Sequence, residues 1–177
     1  EFIKADISDR ELIKKIFDDY SFDFVLNLAA QAGVRYSLEN PHAYVDSNLI
    51  GFMNIIEGCR QSKVKHFLFA SSSSVYGVSK KKNVKEDHPL LPLTLYNKFK
   101  GMCEPLLLKH TDKNFTGVIF RPATVCGYSD RLRLDLSVNI LTNFGYNKNF
   151  IKVFGGDQLR PNLHILDYCD AVLTLIN

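Results

Sequence analysis

Tyr96 and Lys100, a tyrosine and a lysine four positions apart, are the residues of this sequence best suited to acid–base chemistry. On a helix this spacing puts the phenol and the ammonium on one face. A free tyrosine has a pKa of about 10, and a neighbouring cation stabilises the phenolate and draws that pKa toward neutrality. The phenolate could then take a proton from a substrate hydroxyl. The spacing alone is a weak signal, because such a pair is usually an exposed stripe.

A run of serines strengthens this hypothesis. The segment SSSSVYG, residues 71–77, directly follows residues 66–70, which we predict to be a buried strand. Side chains at the carboxyl end of a parallel strand face the crevice in which α/β folds bind ligands. We therefore expect the serine hydroxyls and the tyrosine–lysine pair to meet at one edge of a sheet.

The elements that must position these side chains follow from an alternation of short apolar runs with amphipathic stretches. This alternation predicts βαβ units and a parallel sheet, hence an α/β fold. It stops after Arg121 and Pro122, where a smaller, substrate-facing region is expected to begin. The predicted strands are residues 2–5, 24–28, 66–70, 117–120 and 151–154, and the predicted helices are residues 10–19 capped by Asp9, 42–62, 94–110 and 167–176.

Composition and charge exclude several classes of protein. A net charge of +3 over 177 residues is too weak and too scattered to indicate nucleic acid or a membrane surface as a partner. No apolar run reaches the roughly 18 residues that span a bilayer, and no signal peptide is visible. The four cysteines lie far apart, which indicates reduced thiols and neither disulfides nor metal ligands. We expect a cytoplasmic protein without a metal site.

Several segments resemble a known family. Residues 28–37 and 47–51 resemble extended short-chain dehydrogenases/reductases that act on nucleotide sugars, UDP-glucuronate 4-epimerases in particular. Residues 121–128 and 160–165 resemble the broader epimerase/dehydratase relatives, so the resemblance covers essentially the whole chain. It implies NAD as the cofactor, a UDP-sugar as the substrate and a homodimer.

The resemblance also implies a domain organisation. Residues 1–123 would form part of a Rossmann-like doubly wound parallel sheet that binds NAD, and residues 124–177 would begin a small C-terminal substrate-binding region. The glycine-rich G-x-x-G-x-x-G turn that holds the cofactor pyrophosphate does not occur in these residues. At family spacing it would precede Glu1 by about fifty residues. We expect the 177 residues alone to bind NAD poorly and to show little or no activity.

Roles for individual residues are carried over from the matched motifs. Ser72, Tyr96 and Lys100 match the catalytic residues, and Lys100 would also donate to the nicotinamide ribose. The residues matched to the cofactor site are Asp6, Ile7, Leu28, Ala29, Ala30, Ser47, Tyr96 and Lys100. The residues expected at the substrate are Arg35, Ser72, Ser73, Thr124 and Arg160.

Some of these residues have simpler interpretations. Asp6 could cap the helix that follows it. Arg35 could hold a substrate carboxylate or merely face solvent. Arg160 could pair with Asp157 and not with a diphosphate.

Ser73 and Ser74 distinguish between reactions within the family. At these positions the 4,6-dehydratases usually carry Asp-Glu, since elimination needs an acid and a base. With serines there, 4-epimerisation is favoured: oxidation at C4, rotation of the keto sugar, and hydride return to the opposite face. A 4,6-dehydratase, a 4-reductase and a non-catalytic NAD-binding relative are the alternatives. Thr124 replaces an asparagine of many sugar epimerases, which leaves the sugar open.

Overall fold

The computed structural model describes residues 1–176, apart from the side chains of Val34 and Arg35. The chain forms two compact units. The first comprises Glu1–Arg121 together with Ile176, and the second comprises Pro122–Leu175.

A parallel sheet organises the first unit. Its strands are β1 (Phe24–Asn27), β2 (His66–Ala70) and β3 (Thr116–Phe120), in the order β1-β2-β3. Asn27 pairs with Phe69, and Ala70 pairs with Phe120, so the carboxyl ends of the three strands lie at one edge. The predicted α/β class with a parallel sheet is confirmed.

Three of the five helices of this unit begin at a side-chain cap, which Asp9, Asn40 and Thr94 provide. The Asp9 carboxylate accepts a hydrogen bond from the backbone N–H of Leu12 and so starts the first helix. The helix predicted over residues 42–62 consists of two α-helical segments joined by a π-helical turn, Asp46–Ile50. The helices are α1 (Arg10–Asp19), α2 (Val34–Glu39), α3 (Pro41–Val45), α4 (Gly51–Gln61) and α5 (Leu95–His110).

The core of this unit consists of apolar side chains. They recur with the spacing of one helix face in the helices and of one sheet face in the strands. Fully burying one such large apolar side chain is worth about 1.5–3 kcal/mol. Gly58 of α4 lets α1 approach closely, because a Cβ atom there would lie 2.3 Å from the ring of Phe17. The buried cluster includes Ile13, Phe17, Phe52, Ile56, Phe67, Phe69, Cys103 and Leu107.

The second unit contains two short parallel strands, β4 (Thr124–Cys126) and β5 (Asn162–His164), with Thr124 opposite Asn162. Its helices are α6 (Ser137–Lys148) and α7 (Ile165–Ile176).

Two predicted strands are wrong. Residues 2–5 and 151–154 form no strand. Strands persist by pairing in a ladder, and among residues 1–176 no strand pairs with either segment. Phe2 is accordingly 88% exposed and Phe154 is 76% exposed. At both places an apolar run suggested a strand, but no described strand lies beside it to form a ladder.

Candidate active site

Helix α5 presents the tyrosine and the lysine from its first two turns. Thr94 caps it, and the Thr94 hydroxyl accepts a hydrogen bond from the backbone N–H of Asn97. Tyr96 is half-buried, whereas Asn97 and Lys100 are buried. The predicted placement of both residues on one helix is confirmed.

Lys100 is anchored to the end of β2. Its ammonium donates a hydrogen bond of 2.6 Å to the carbonyl of Ala70, and only 2% of the residue is exposed. The Nζ atom lies 4.7 Å from the ring centroid of Phe69 and 6.0 Å from that of Tyr96. Burial lowers the pKa of Lys100 to about 8, since desolvation disfavours the charged form. When protonated, this ammonium can stabilise a negative charge on the neighbouring phenol. The effect is stronger than in water because the surroundings have a low dielectric constant.

The serine run turns away from the sheet directly after β2. Ser72 has an extended backbone and caps a 3-10 helix, Ser73–Tyr76, by accepting from the N–H of Ser74. The hydroxyls of Ser72 and Ser74 lie 2.7 Å apart, and the Ser74 hydroxyl donates to the side-chain carbonyl of Asn97. Because Asn97 follows Tyr96 in α5, these bonds connect Ser72 to the helix that carries Tyr96 and Lys100.

Gly77 ends the 3-10 helix in a conformation that requires glycine. Its φ is +68°, and a Cβ atom there would lie 2.1 Å from the carbonyl oxygen of Leu91. The N–H of Leu91 donates to the carbonyl of Val75 at 3.1 Å. The loop after Gly77 therefore packs back against the 3-10 helix and fixes its position.

A buried ion pair braces the same region and was not predicted. Glu104 is 2% exposed and binds Arg121 through two hydrogen bonds of 3.0 and 2.6 Å. Ser71 donates its hydroxyl proton to the same carboxylate. Arg121 also donates to the hydroxyl of Tyr76 at 2.6 Å and to the carbonyl of Glu86 at 3.0 Å. The hydrogen bonds to Glu104, and then the one to Tyr76, raise the pKa of Arg121 despite its desolvation.

One signal could have found this pair. Glu104 follows Lys100 by four positions, so it shares the α5 face of Tyr96 and Lys100. Arg121 directly follows β3. Because parallel strands end at one edge of the sheet, Arg121 was a candidate neighbour for this face. A carboxylate buried at that edge needs a cation beside it.

Five of the eight predicted cofactor residues line one open cleft of about 600 Å³ within the first unit, whereas Tyr96 and Lys100 do not. The small side chains of Ala29 and Ala30 let a ligand approach the backbone closely, and Asp6 and Ser47 supply a carboxylate and a hydroxyl. This donor set fits the adenosine part of a dinucleotide. Leu28 is half exposed but does not line the cleft. The lining is Lys4, Ala5, Asp6, Ile7, Asp9, Leu12, Ala29, Ala30, Gln31 and Ser47.

Local hydrogen bonds hold the rim of this cleft in place. The Asp6 carboxylate accepts from the backbone N–H and the hydroxyl of Ser8, which lower its pKa. Asp9, and not Asp6, caps α1. Asn48, in the π-helical turn beside Ser47, accepts from the N–H of Gln31 at 2.7 Å and donates to its carbonyl at 3.0 Å.

No described contact connects three of the predicted substrate residues to the serine run, Tyr96 or Lys100. Arg35 lies in α2, but its side chain is outside the described part of the chain. Thr124 begins β4 in the second unit, where its N–H donates to the carbonyl of Pro161. Arg160 is exposed in the same unit, and it forms no ion pair with Asp157 among the ion pairs of residues 1–176. Ser73 is the half-buried first residue of the 3-10 helix.

Among the described residues, the cysteines and the carboxylates form neither a disulfide nor a metal site. All four cysteines are free, and burial raises the pKa of Cys59 and of Cys103 to about 12. The described residues contain no group of histidines, cysteines and carboxylates that could hold a metal ion. Within residues 1–176, no helix combines the length and the apolar character needed to cross a bilayer.

Comparison with known proteins identifies relatives across the whole chain. The family model described as NAD dependent epimerase/dehydratase family matches residues 1–177. UDP-glucuronate 4-epimerase of Thermodesulfobacterium geofontis (strain OPF15) is 37% identical over 174 residues, which make up 94% of this chain and 52% of that protein. The chain spans about half the length of the curated relatives it matches.

Solved structures share the fold. UDP-glucuronic acid 4-epimerase from Bacillus cereus, in complex with UDP-glucuronic acid and NAD, has a TM-score of 0.84 and 30% identity over 100% of this chain and 55% of its own. UDP-N-acetylglucosamine 4-epimerase from Methanobrevibacter ruminantium M1, in complex with UDP-N-acetylmuramic acid, has a TM-score of 0.87 and 26% identity over 99% of this chain and 57% of its own.

Proposed function

Because this chain belongs to the NAD-dependent epimerase/dehydratase family, we propose that it catalyses the 4-epimerisation of a UDP-sugar with NAD as its cofactor. The observation that carries the proposal is the buried ammonium of Lys100, held at the end of β2 beside Tyr96. The 37% identity to a UDP-glucuronate 4-epimerase supports UDP-glucuronate as the first substrate to test.

The chemistry that NAD supplies when bound is reversible hydride transfer at C4 of the sugar. Tyr96 takes the proton of the C4 hydroxyl as the carbonyl forms and returns it afterwards. Lys100 stabilises the phenolate by its charge, and it has N–H groups beyond the one bound to Ala70 that can donate to ribose hydroxyls. Ser72 hydrogen-bonds the reacting hydroxyl.

The chain offers no carboxylate for an elimination next to Ser72. Ser73 and Ser74 stand in the first turn of the 3-10 helix. The buried carboxylate of Glu104 is paired with Arg121 and accepts from Ser71, so it already takes three hydrogen bonds from this chain. These contacts support epimerisation over 4,6-dehydration.

The remaining roles are part of the same proposal. Residues 1–123 belong to the NAD-binding domain and residues 124–177 to the substrate region of a homodimeric enzyme. The residues assigned to NAD are Asp6, Ile7, Leu28, Ala29, Ala30 and Ser47, and those assigned to the sugar nucleotide are Arg35, Ser73, Thr124 and Arg160.

A product analysis of the full-length protein tests the proposal. The protein is incubated with UDP-glucuronate, UDP-glucose and their C4 epimers, and the sugars are resolved by chromatography. We expect interconversion of one epimeric pair without net consumption of the cofactor. A 4-keto-6-deoxy product, or stoichiometric oxidation of NADPH, would replace the proposal by a dehydratase or a reductase.

A further inference from the structure

Helix α5 carries two buried groups of opposite charge on one face. Lys100 and Glu104 are four positions apart, and each residue is only 2% exposed. Both side chains reach the end of β2, where the Lys100 ammonium donates to the carbonyl of Ala70 and the Glu104 carboxylate accepts from the hydroxyl of Ser71. Although they end on successive residues, they do not pair with each other among the ion pairs of residues 1–176.

Arg121 is the cation that engages the carboxylate. Its Nε and Nη2 atoms donate to the two oxygens of Glu104 at 3.0 and 2.6 Å, in the bidentate geometry that suits a guanidinium and a carboxylate. Its Nη1 atom donates to the hydroxyl of Tyr76 at 2.6 Å and to the carbonyl of Glu86 at 3.0 Å. These contacts fix the guanidinium in place, so the charge of Glu104 is compensated without Lys100.

This division of charges bears on Tyr96, whose ring centroid lies 6.0 Å from the Lys100 Nζ atom. A carboxylate without a cation, one helical turn from the ammonium, would attract it strongly, because the surroundings have a low dielectric constant. The ammonium would then stabilise a phenolate on Tyr96 less, and the charge of Glu104 would itself disfavour that phenolate. Burial lowers the pKa of Lys100 to about 8, against a smaller opposing effect of Cys103, as expected when desolvation and not an ion pair dominates.

We propose that Arg121 is a positioning residue of the active site, which neutralises Glu104 so that the charge of Lys100 acts on the phenol of Tyr96. This inference rests on the proposed function, in which that phenol transfers the proton. The role needs a positive charge at position 121 only while position 104 is negative. Removing the two charges separately and together should therefore give different results.

A titration of Tyr96 in the full-length protein tests this role without turnover. Ionisation changes the ultraviolet absorbance of a tyrosine, and subtracting the titration of the matching Tyr96→Phe variant isolates this phenol from the other tyrosines. Arg121→Gln removes the guanidinium charge and keeps an amide that donates hydrogen bonds. We expect it to raise the midpoint of the Tyr96 titration by about one pH unit, as for one elementary charge acting near a protein surface.

Glu104→Gln tests the same balance with the opposite sign. It removes the carboxylate charge, keeps an oxygen that can accept from Ser71, and leaves the charge of Arg121 without its partner. An uncompensated second cation favours the phenolate, so the midpoint of the Tyr96 titration should fall by about one pH unit. The double variant should titrate close to the unsubstituted protein, and so should Arg121→Lys, which keeps the positive charge.

The other titratable groups around α5 are the same in all these proteins. The elements packed against α5 are α2, α3, the π-helical turn, the 3-10 helix and β3, of which β3 carries no titratable side chain. Arg35 of α2 has its side chain outside the described part of the chain. Because none of these groups is substituted, a difference in midpoint reports the charges at positions 104 and 121. The described groups on these elements are Tyr36, Glu39, His42, Tyr44, Asp46 and Tyr76.

Damage to the fold would produce a different pattern. It would move both single variants in one direction and the double variant at least as far. That result, unchanged midpoints in both single variants, or equal shifts in Arg121→Lys and Arg121→Gln would overturn the role of Arg121. If circular dichroism shows that Arg121→Gln is unfolded, the sign of the shift in Glu104→Gln and its reversal in the double variant decide.

Product analysis of the unsubstituted protein separates this inference from the proposed function. Absence of epimerisation would refute the proposed function. The titrations would still show whether Arg121 controls the charge that acts on Tyr96, since they require no turnover.

Discussion

The ammonium of Lys100 lies 2.6 Å from the carbonyl oxygen of Ala70, the last residue of β2. This contact brings a helix and a strand end together at the edge where α/β sheets bind ligands. It also removes the charge from water, and the resulting low pKa has consequences that can be measured.

The first prediction concerns stability and pH. Burial lowers the pKa of Lys100 from 10.5 to about 8, so between these pH values the unfolded chain binds more protons at this residue than the folded one. The Lys100 contribution should therefore make the free energy of unfolding rise between pH 8 and pH 10.5 and stay constant below pH 8. Urea denaturation of the full-length protein at several pH values measures this rise.

Lys100→Met supplies the comparison, because a methionine of similar length cannot titrate. The difference between the two pH curves isolates Lys100 from all other groups. Parallel curves for the protein and its variant across this range would contradict a depressed lysine pKa.

The second prediction concerns Tyr96. If its phenol transfers the proton, Tyr96→Phe should lower kcat by about 10²–10⁴-fold while NAD binding is retained, since the hydroxyl acts mainly in the transition state. Steady-state kinetics and NAD titration of the full-length protein separate the two effects. Tyr20→Phe is the control, because the hydroxyl of Tyr20 contacts only Glu1 among the hydrogen bonds of residues 1–176. Full activity of Tyr96→Phe would exclude this proton transfer.

The third prediction concerns the buried ion pair. Glu104→Ala leaves the guanidinium of Arg121, whose side chain is 18% exposed, without its carboxylate. We expect a loss of about 3–5 kcal/mol in the free energy of unfolding, as for other buried pairs that lose one partner. Chemical denaturation followed by fluorescence measures it.

An exposed pair provides the matched control for Glu104. Glu57 contacts Arg60 at 3.1 Å, and both side chains are more than two fifths exposed. Glu57→Ala should cost about 0–1 kcal/mol. Equal effects of the two substitutions would mean that burial adds nothing to the Glu104 pair.

The sequence predicted elements that depend on local patterns and missed those that depend on distant partners. The helix α1 was predictable because Asp9 caps a stretch with apolar residues at helical spacing. The strands β4 and β5 are three residues each and exist only through pairing with one another, across segments separated by α6. No local pattern marks such strands.

The candidate site divides in the same way. Motif spacing placed Tyr96 and Lys100 on one helix and the serines at the end of β2. It gave no indication that Asn97, next to the tyrosine, would bond to Ser74, and it put Glu104 on the α5 face of Lys100 without identifying Arg121 as its partner. Both contacts join residues that are far apart in the chain and depend on how α5 packs beside the strand ends. Side-chain direction at a packed interface is set by tertiary structure and not by local propensity.

The last prediction uses two glycines in opposite conformations. Gly77→Ala should destabilise the protein by at least about 1–3 kcal/mol, because φ is +68° and the new Cβ would meet the Leu91 carbonyl at 2.1 Å. Gly101→Ala should stabilise it by about 0.5–1 kcal/mol, since this position lies inside α5 and the nearest atom to the new Cβ is 3.7 Å away. Thermal unfolding of both variants gives the two signs. Because Gly77 ends the 3-10 helix after Ser72, Gly77→Ala should also lower kcat. If Gly101→Ala destabilised the protein, this result would contradict the open space beside α5.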